Sequence, residues 1–431
     1  MAEVSTAVPA FVGYTQKGGS YDQGPPITYI PQIAKISTML EFEEIFGGPK
    51  IRGYSATTTG TGDDERLDAL TREAPAAEPS FLLYHAVNLY FKNGGGPCYI
   101  ATIGDYDTTV PAKAAFEAGL ALIEQEDEPT LIVLTDAVDL PPADYHDLAQ
   151  SALAQCAKLR DRFVILDVLD DADVTGFRDG IGTNDLMYGA AYHPHLQTSL
   201  SYPHDEASVT VGGDTLATIR STKTALYSEI KLALAQQRIT MPPSAAIAGV
   251  YASVDRDRGV WKAPANVSLA SVVAPTLKIS NDAQEGLNVD PTAGKSINAV
   301  RAFTGKGTLV WGARTLAGND NEWRYVSTRR LFNQIEESTQ KSTAFAVFEP
   351  NDETTWLKVR GMIESYLYRL WEQGALAGTS PEQAYYVNVG LGRTMTEQDV
   401  LEGRMNVEIG IAASRPAEFI VLKFTHKVQE A

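Results

Sequence analysis

The chain has 431 residues, 44% of them hydrophobic and 21% charged, the proportions of an ordinary soluble protein with room for two or three domains and a large core. Its 54 acidic against 36 basic side chains give a formal net charge of -18, which argues against wide contact with nucleic acid, since phosphate binding draws on clustered Lys and Arg. Two cysteines, Cys98 and Cys156, are too few for a disulfide framework, and no apolar run reaches the length of a membrane span. The start, Met1-Ala-Glu-Val-Ser-Thr6, lacks a basic region followed by an apolar core, so the expectation is a reducing cytoplasm and free structural thiols.

In chain order, Ser5 to Tyr14 reads as a strand, followed by Gly18-Gly19 and a Pro-rich connection through Pro26. Met39 to Phe46 predicts a short helix that Gly47-Gly48-Pro49 ends. From Ile51 to Pro79 the chain turns to Thr, Gly, Ala and Asp, most strongly at Thr57 to Asp64, a composition that predicts a surface insertion. Phe81 to Lys92 reads as helix and Cys98 to Ile103 as strand. Then comes an α/β rhythm: helix Ala112 to Gln125, strand Leu131 to Leu134, helix Pro142 to Leu159, strand Phe163 to Val168, the alternation that builds a mainly parallel sheet. Ser208 to Asp214 reads as a hairpin fragment, Thr222 to Gln236 as a helix and Ala246 to Val254 as another buried strand. A border is expected in the irregular stretch from Asp170 to Asn184.

The last eighty or so residues carry the sharpest signals. Phe345 to Phe348 reads as a strand stopped by Pro350, and Asn351 or Asp352 can cap the helix that follows. In that helix Trp356, Val359, Ile363, Tyr366, Leu367 and Leu370 recur at steps of three and four and form one apolar face; Gly374 ends it. Ser380-Pro381-Glu382 and Thr396 with Asp399 suggest short helical turns. Asn406 to Ala412 alternates as a strand, and Phe419 to Phe424 follows with apolar side chains on both faces. A strand of that kind needs cover on each side, so it is expected to enter a sheet of this subunit or of a neighbour. The fold class expected is a mixed α/β, multi-domain chain whose mixed sheet is flanked by helices. Its divisions fall at 1–105 (N-terminal part of the core, with the 51–79 insertion), 106–254 (α/β middle) and 255–431 (C-terminal core domain with a terminal strand arm).

Catalytic constellations were weighed against structural roles. Asn93-Gly-Gly-Gly-Pro97 follows a helix and precedes a strand, the reverse of a phosphate-cradling loop. Asp136, Asp167, Asp170, Asp171 and Asp173 lie near strand ends, where α/β folds place cation sites, but no calcium-loop spacing is met. His193-Pro-His195 suggests zinc, yet in an extended strand the two rings point to opposite faces. No Gly-x-Ser-x-Gly elbow appears and neither cysteine has a basic neighbour. The expectation is no catalytic residue, no cofactor and no metal. A metal-dependent phosphohydrolase using the acidic strand ends stays open as the alternative of another class.

Several segments, in order, resemble contractile tail sheath proteins: Ser5 to Gly13, Phe91 to Tyr99, Gly249-Val-Tyr-Ala252, Arg258 to Asn266, Ile297 to Arg301, Val310 to Arg314, Glu322 to Phe332, Val347 to Asp352, Trp371 to Gly378, and Asn406 to Gly410 through Arg415 to Phe419. The resemblance covers most of the chain. It implies a structural subunit that stacks with copies of itself in six-subunit rings around an inner tube protein, between baseplate and terminal cap proteins, and contracts to drive the tube through a target envelope. It also implies exchange of terminal strands between neighbours. The segment expected to do this is Ala417, Glu418, Phe419, Ile420, Val421, Leu422, Lys423 and Phe424, and the polar side of the Asp352 to Gln373 helix, with Lys358, Arg360 and Arg369, is expected to face the tube. The core-like Ser5-Thr-Ala-Val8 starts without the Pro-Gly-Val-Tyr arm common in the family. That short start and Gly189 to His195 look more like sheaths of phage-tail-like injection particles than those of most virions, with a myovirus-like tail sheath as the alternative.

Overall fold

The computed structural model describes residues 4–22, 28–73 and 78–418. Its centre is a nine-stranded sheet with spatial order Val267–Ser268, Gly307–Val310, Ile297–Phe303, Gly189–His193, Phe163–Asp167, Leu131–Val133, Pro9–Gly13, Cys98–Thr102 and Gln32–Ile36. The inner six, from Ile297–Phe303 to Cys98–Thr102, run parallel, and antiparallel strands close both sides.

Side-chain alternation along these strands feeds two apolar layers. Ala10, Val12, Ile132, Val164 and Leu166 join one core cluster with Phe116, Leu120, Leu148 and Leu153 from helices Lys113–Glu124 and Pro142–Leu159. Phe11, Leu131, Val133, Phe163 and Ile165 point the other way, into a cluster with Phe42, Val87, Tyr90, Ile247 and Tyr251 from helices Met39–Phe46, Leu83–Lys92 and Ser244–Arg258. A strand buried on both faces reads as a continuous apolar run, which is why the sequence shows these strands well.

Three expectations change. Ala246 to Val254, read as a buried strand, lies in the helix Ser244–Arg258, whose residues 244–252 are all buried. An element apolar all round has no period to distinguish helix from strand. Phe345 to Phe348 is not a strand. The chain leaves helix Val326–Thr343 through a tight turn at Ala344–Ala346, and Phe348 is fully exposed at φ 69°. The 51–79 stretch is more than an insertion. Strands Tyr54–Thr59 and Arg66–Arg72 pair as a hairpin, and Val209–Val211 adds to the first in parallel, with Asp214–Thr215 at the edge. Helix Thr224–Gln236 covers this sheet, so Tyr54 and Ala56 share a small core with Val209, Val211, Leu226 and Ile230.

A separate apolar cluster holds the C-terminal unit. Val359, Ile363, Tyr366, Leu367 and Leu370 of helix Glu353–Glu372 pack with Leu331 and Ile335 of the preceding helix and with Val387 of strand Tyr385–Val389. That strand pairs antiparallel with Val407–Ile411, and the two form a sheet of their own.

Candidate functional site: an open sheet and its exit segment

Helix Glu353–Glu372 begins where the sequence places it, because the Asp352 carboxylate accepts the Thr355 amide at 3.1 Å. Its apolar stripe supports the Tyr385–Val389/Val407–Ile411 pair from one face, with Tyr385, Val407, Ile409 and Ile411 half-buried against the same cluster. The Thr396 side chain accepts the Asp399 amide and Asp399 Oδ2 accepts the Thr396 amide at 2.9 Å, a reciprocal cap that fixes the turn between the strands. Among the described residues, neither outer edge of this two-stranded sheet has a strand partner. A two-stranded ribbon is marginal alone, and unpaired edges are templates for another chain.

After Ile411 the chain is pinned twice more to its own unit. Ala377 N donates to Ala412 O at 2.7 Å, and Ser414 donates its amide to Ala375 O at 3.1 Å and its hydroxyl to Gly374 O at 3.0 Å. Ala417 is exposed. Glu418 turns back to the α/β core, where Arg314 Nη2 donates to its Oε2 at 2.6 Å and Asn288 Nδ2 to its Oε1 at 2.9 Å. Phe419 to Phe424, the remainder of the expected exchange segment, lies outside the described residues.

The three basic residues of the polar helix side are not gathered into one patch. At about 100° per residue, Lys358 and Arg369 lie roughly 20° apart on one flank of the buried stripe, while Arg360 lies on the opposite flank. Lys358 and Arg369 are exposed; Arg360 is half-buried and its Nε donates to Glu364 Oε1 at 2.8 Å.

The acidic strand ends have structural partners. Asp136 is fully buried, its two oxygens accepting the Tyr14 amide at 2.8 Å and the Leu82 amide at 2.7 Å; burial pushes its carboxyl up to about 7, with the Tyr14 bond opposing. It occupies the crevice between strands Pro9–Gly13 and Leu131–Val133, where the strand order reverses and α/β enzymes of this topology bind ligands. Asp167 accepts the Ser244 amide at 2.8 Å and the Ser244 hydroxyl at 2.5 Å, starting helix Ser244–Arg258; burial raises it to about 6. Asp170 and Asp173 accept the local amides of Ala172 and Gly176.

One reading of the histidines is corrected. The rings of His193 and His195 do not point apart: both Nδ1 atoms approach Asp171 Oδ1, at 3.4 and 3.1 Å. The alternation rule fails because His193 ends a strand of the large sheet, whereas the next strand, Leu196–Ser201, belongs to a different, three-stranded sheet. Burial alone would raise the Asp171 carboxyl, but the nearby His193 ring and the hydrogen bonds from His195 and Thr276 outweigh it and hold it well below the usual range. Among the described residues no cluster of three or more His, Cys, Asp or Glu is suited to a metal ion. Cys98 and Cys156 are buried free thiols that burial pushes far up.

Comparison with known proteins matches residues 318–427 to the phage tail sheath C-terminal domain. The sheath complex of an extracellular contractile injection system, PVC, in its contracted state is 31% identical, covering 99% of this chain and 93% of that one, with a TM-score of 0.69. The contracted helical sheath of the anti-feeding prophage, AFP, is also 31% identical, over 99% of this chain and 95% of that one, with a TM-score of 0.69. A tail sheath protein of Vibrio phage KVP40 is 25% identical over 136 residues, which is 32% of this chain and 20% of the relative. The match thus spans about a fifth of that phage protein's length.

Proposed function

The chain belongs to the contractile tail sheath family, and from that premise we propose that it polymerises as stacked six-subunit rings around an inner tube and contracts to drive the tube through a target envelope. The likeness to injection-system sheaths over nearly the whole chain, against a third of it for the phage relative, favours an injection particle over a virion. On this reading the protein assembles in the bacterial cytoplasm with baseplate, tube and cap proteins, and its role is structural rather than catalytic.

The observation that carries the reading is the two-stranded sheet whose outer edges have no strand partner among the described residues, in a chain whose last apolar segment carries apolar side chains on both faces. Residues 419–424 of one subunit add to that sheet on a neighbour, main-chain hydrogen bonds giving the link and alternate side chains the register, while Ala417 and Glu418 stay with their own subunit. Such a link survives rotation of the bodies it joins. If contraction buries ~400 Å² more apolar surface per subunit, at ~25 cal/mol/Å² each contributes on the order of 10 kcal/mol before entropy costs. The exposed flank of helix Glu353–Glu372 that carries Lys358 and Arg369 faces the tube, and Arg360, on the opposite flank and paired with Glu364, does not. The test is electron microscopy of concentrated protein with and without residues 419–431. Tubes or rings from the full chain and dispersed subunits from the shortened one support the reading; equal polymers from both remove strand exchange.

A further inference from the structure

Glu418 is the last described residue before the arm, and its surroundings are unusually complete. Arg314 donates Nε to both its oxygens, at 2.8 and 3.1 Å, and Nη2 to Oε2 at 2.6 Å; Asn288 Nδ2 adds a bond at 2.9 Å and the Tyr325 hydroxyl one at 3.2 Å. Arg314 itself is 3% exposed, and its Nη1 is taken by Asn288 O at 3.0 Å and Gly318 O at 3.4 Å. A buried guanidinium needs a counter-charge, and the carboxylate that supplies it comes from the terminal segment.

The socket is tied to the middle of the large sheet. Asn298, buried in strand Ile297–Phe303, accepts the Arg314 amide at 2.7 Å and donates Nδ2 to Arg314 O at 2.7 Å and to Ala191 O at 3.1 Å. Ala191 lies in the adjacent parallel strand. A continuous path of hydrogen bonds therefore runs from the sheet centre through Asn298 and Arg314 to Glu418. Between Ser414, held by the C-terminal unit, and Glu418, held by the core, the chain crosses from one apolar cluster to another.

We propose that Glu418 is a positioning residue for strand exchange: seated in the Arg314 socket, it makes the arm leave from the α/β core instead of from the two-stranded sheet. Pull on the arm is then borne by the large sheet, and the Val407–Ile411 strand is spared from being peeled off its partner. Bidentate Arg–carboxylate geometry suits the task because it fixes direction as well as distance. The inference rests on the strand-exchange reading above, and the test separates the two.

The experiment uses the full chain, Glu418→Gln, Arg314→Gln, the double variant and the 419–431 deletion. It reads solvent exchange of the Arg314 Nε–H, which Glu418 accepts, in unassembled subunits, the melting midpoint, and the order of the polymer formed well below that midpoint. Glu418→Gln is expected to speed that exchange roughly ten- to a hundredfold, the loss expected for charge-assisted bonds, to lower the melting midpoint because Arg314 is left buried without a carboxylate, and to give shorter, irregular polymers. The double variant, which removes both charges, should melt no lower than Glu418→Gln alone, as for groups acting as a pair. Unchanged exchange in Glu418→Gln, or faster exchange with polymers as ordered as those of the unmodified chain, overturns the proposal. Should Arg314→Gln fail to fold, Glu418→Gln still decides. Intact polymers from the deletion overturn strand exchange itself, while exchange of the Arg314 Nε–H still reports whether the socket holds.

Discussion

Phe11 has hydrogen-bonded strands on both sides and helices over the sheet faces, whereas Val387 is paired on one side only among the described residues and its neighbour Tyr386 stands half exposed. The two positions represent the regions they belong to. In the α/β sandwich nine strands share one sheet between two apolar layers, while the C-terminal unit closes a single small core and leaves a two-stranded ribbon, with Phe348, Val347, Leu357 and Leu401 exposed around it. The sandwich covers both faces of its sheet within one chain, whereas the apolar stripe of helix Glu353–Glu372 covers one face of the ribbon.

Substitutions should separate the two. The largest effect belongs to the sandwich: Phe11→Ala removes a ring packed edge-on against Tyr90 at 5.3 Å and should cost about 3–5 kcal/mol in urea unfolding, with assembly lost as a consequence of unfolding. A loss below about 1 kcal/mol would mean that the sandwich is not the stable body of the subunit.

Next comes Asp171→Asn. The carboxyl sits below its unfolded value, so its stabilisation is fully present above about pH 4 and is lost as pH falls through the lower folded value. For His195, burial would depress the ring, but the Asp171 bond and charge prevail and raise it; that share is present below about pH 6.5 and is lost as pH rises through the folded value. The variant should lose roughly 2 kcal/mol near pH 5, where both contributions act, and the deficit should shrink toward either extreme. A pH-independent deficit would contradict the ion-pair account.

Thr396→Ala should cost about 1 kcal/mol, and only locally, read as faster exchange at residues 397–401 with the sandwich melting unchanged. A matching fall in the sandwich midpoint would show that the regions unfold as one. The smallest effect is that of Phe348→Gly. The left-handed backbone suits glycine and the exposed ring contributes no burial, so subunit stability should stay equal or rise by up to about 1 kcal/mol. A loss would place Phe348 against its own subunit.

Local pattern makes the sandwich readable in the amino-acid sequence. Leu131 to Leu134 and Phe163 to Val168 announce buried strands because both faces are covered, and the Thr396/Asp399 cap is written within four residues. What escaped depends on partners distant in the chain. The pairing of Tyr54–Thr59 with Val209–Val211 leaves no mark in either segment, and nothing near Arg314 points to Glu418. The first turns of helix Ser244–Arg258 read equally well as a strand because their alanine-rich run has no polar side to set a period. Of the exchange segment, Ala417 and Glu418 are placed and Phe419 to Phe424 lie outside the described residues, so the apolar two-faced pattern remains the argument for their role. The basic triad rests on charge and on the family resemblance, neither of which carries the helix angle that puts Arg360 across the helix from Lys358 and Arg369.

The central claim is that the C-terminal unit is completed by another copy of the chain. It is tested most directly by comparing the sedimentable polymer formed by the full chain with that formed by the 419–431 deletion, with tubes checked by electron microscopy and folding checked by thermal melting. The account predicts tubes from the full chain and dispersed, normally melting subunits from the deletion. Tubes of equal yield and length from both would contradict it.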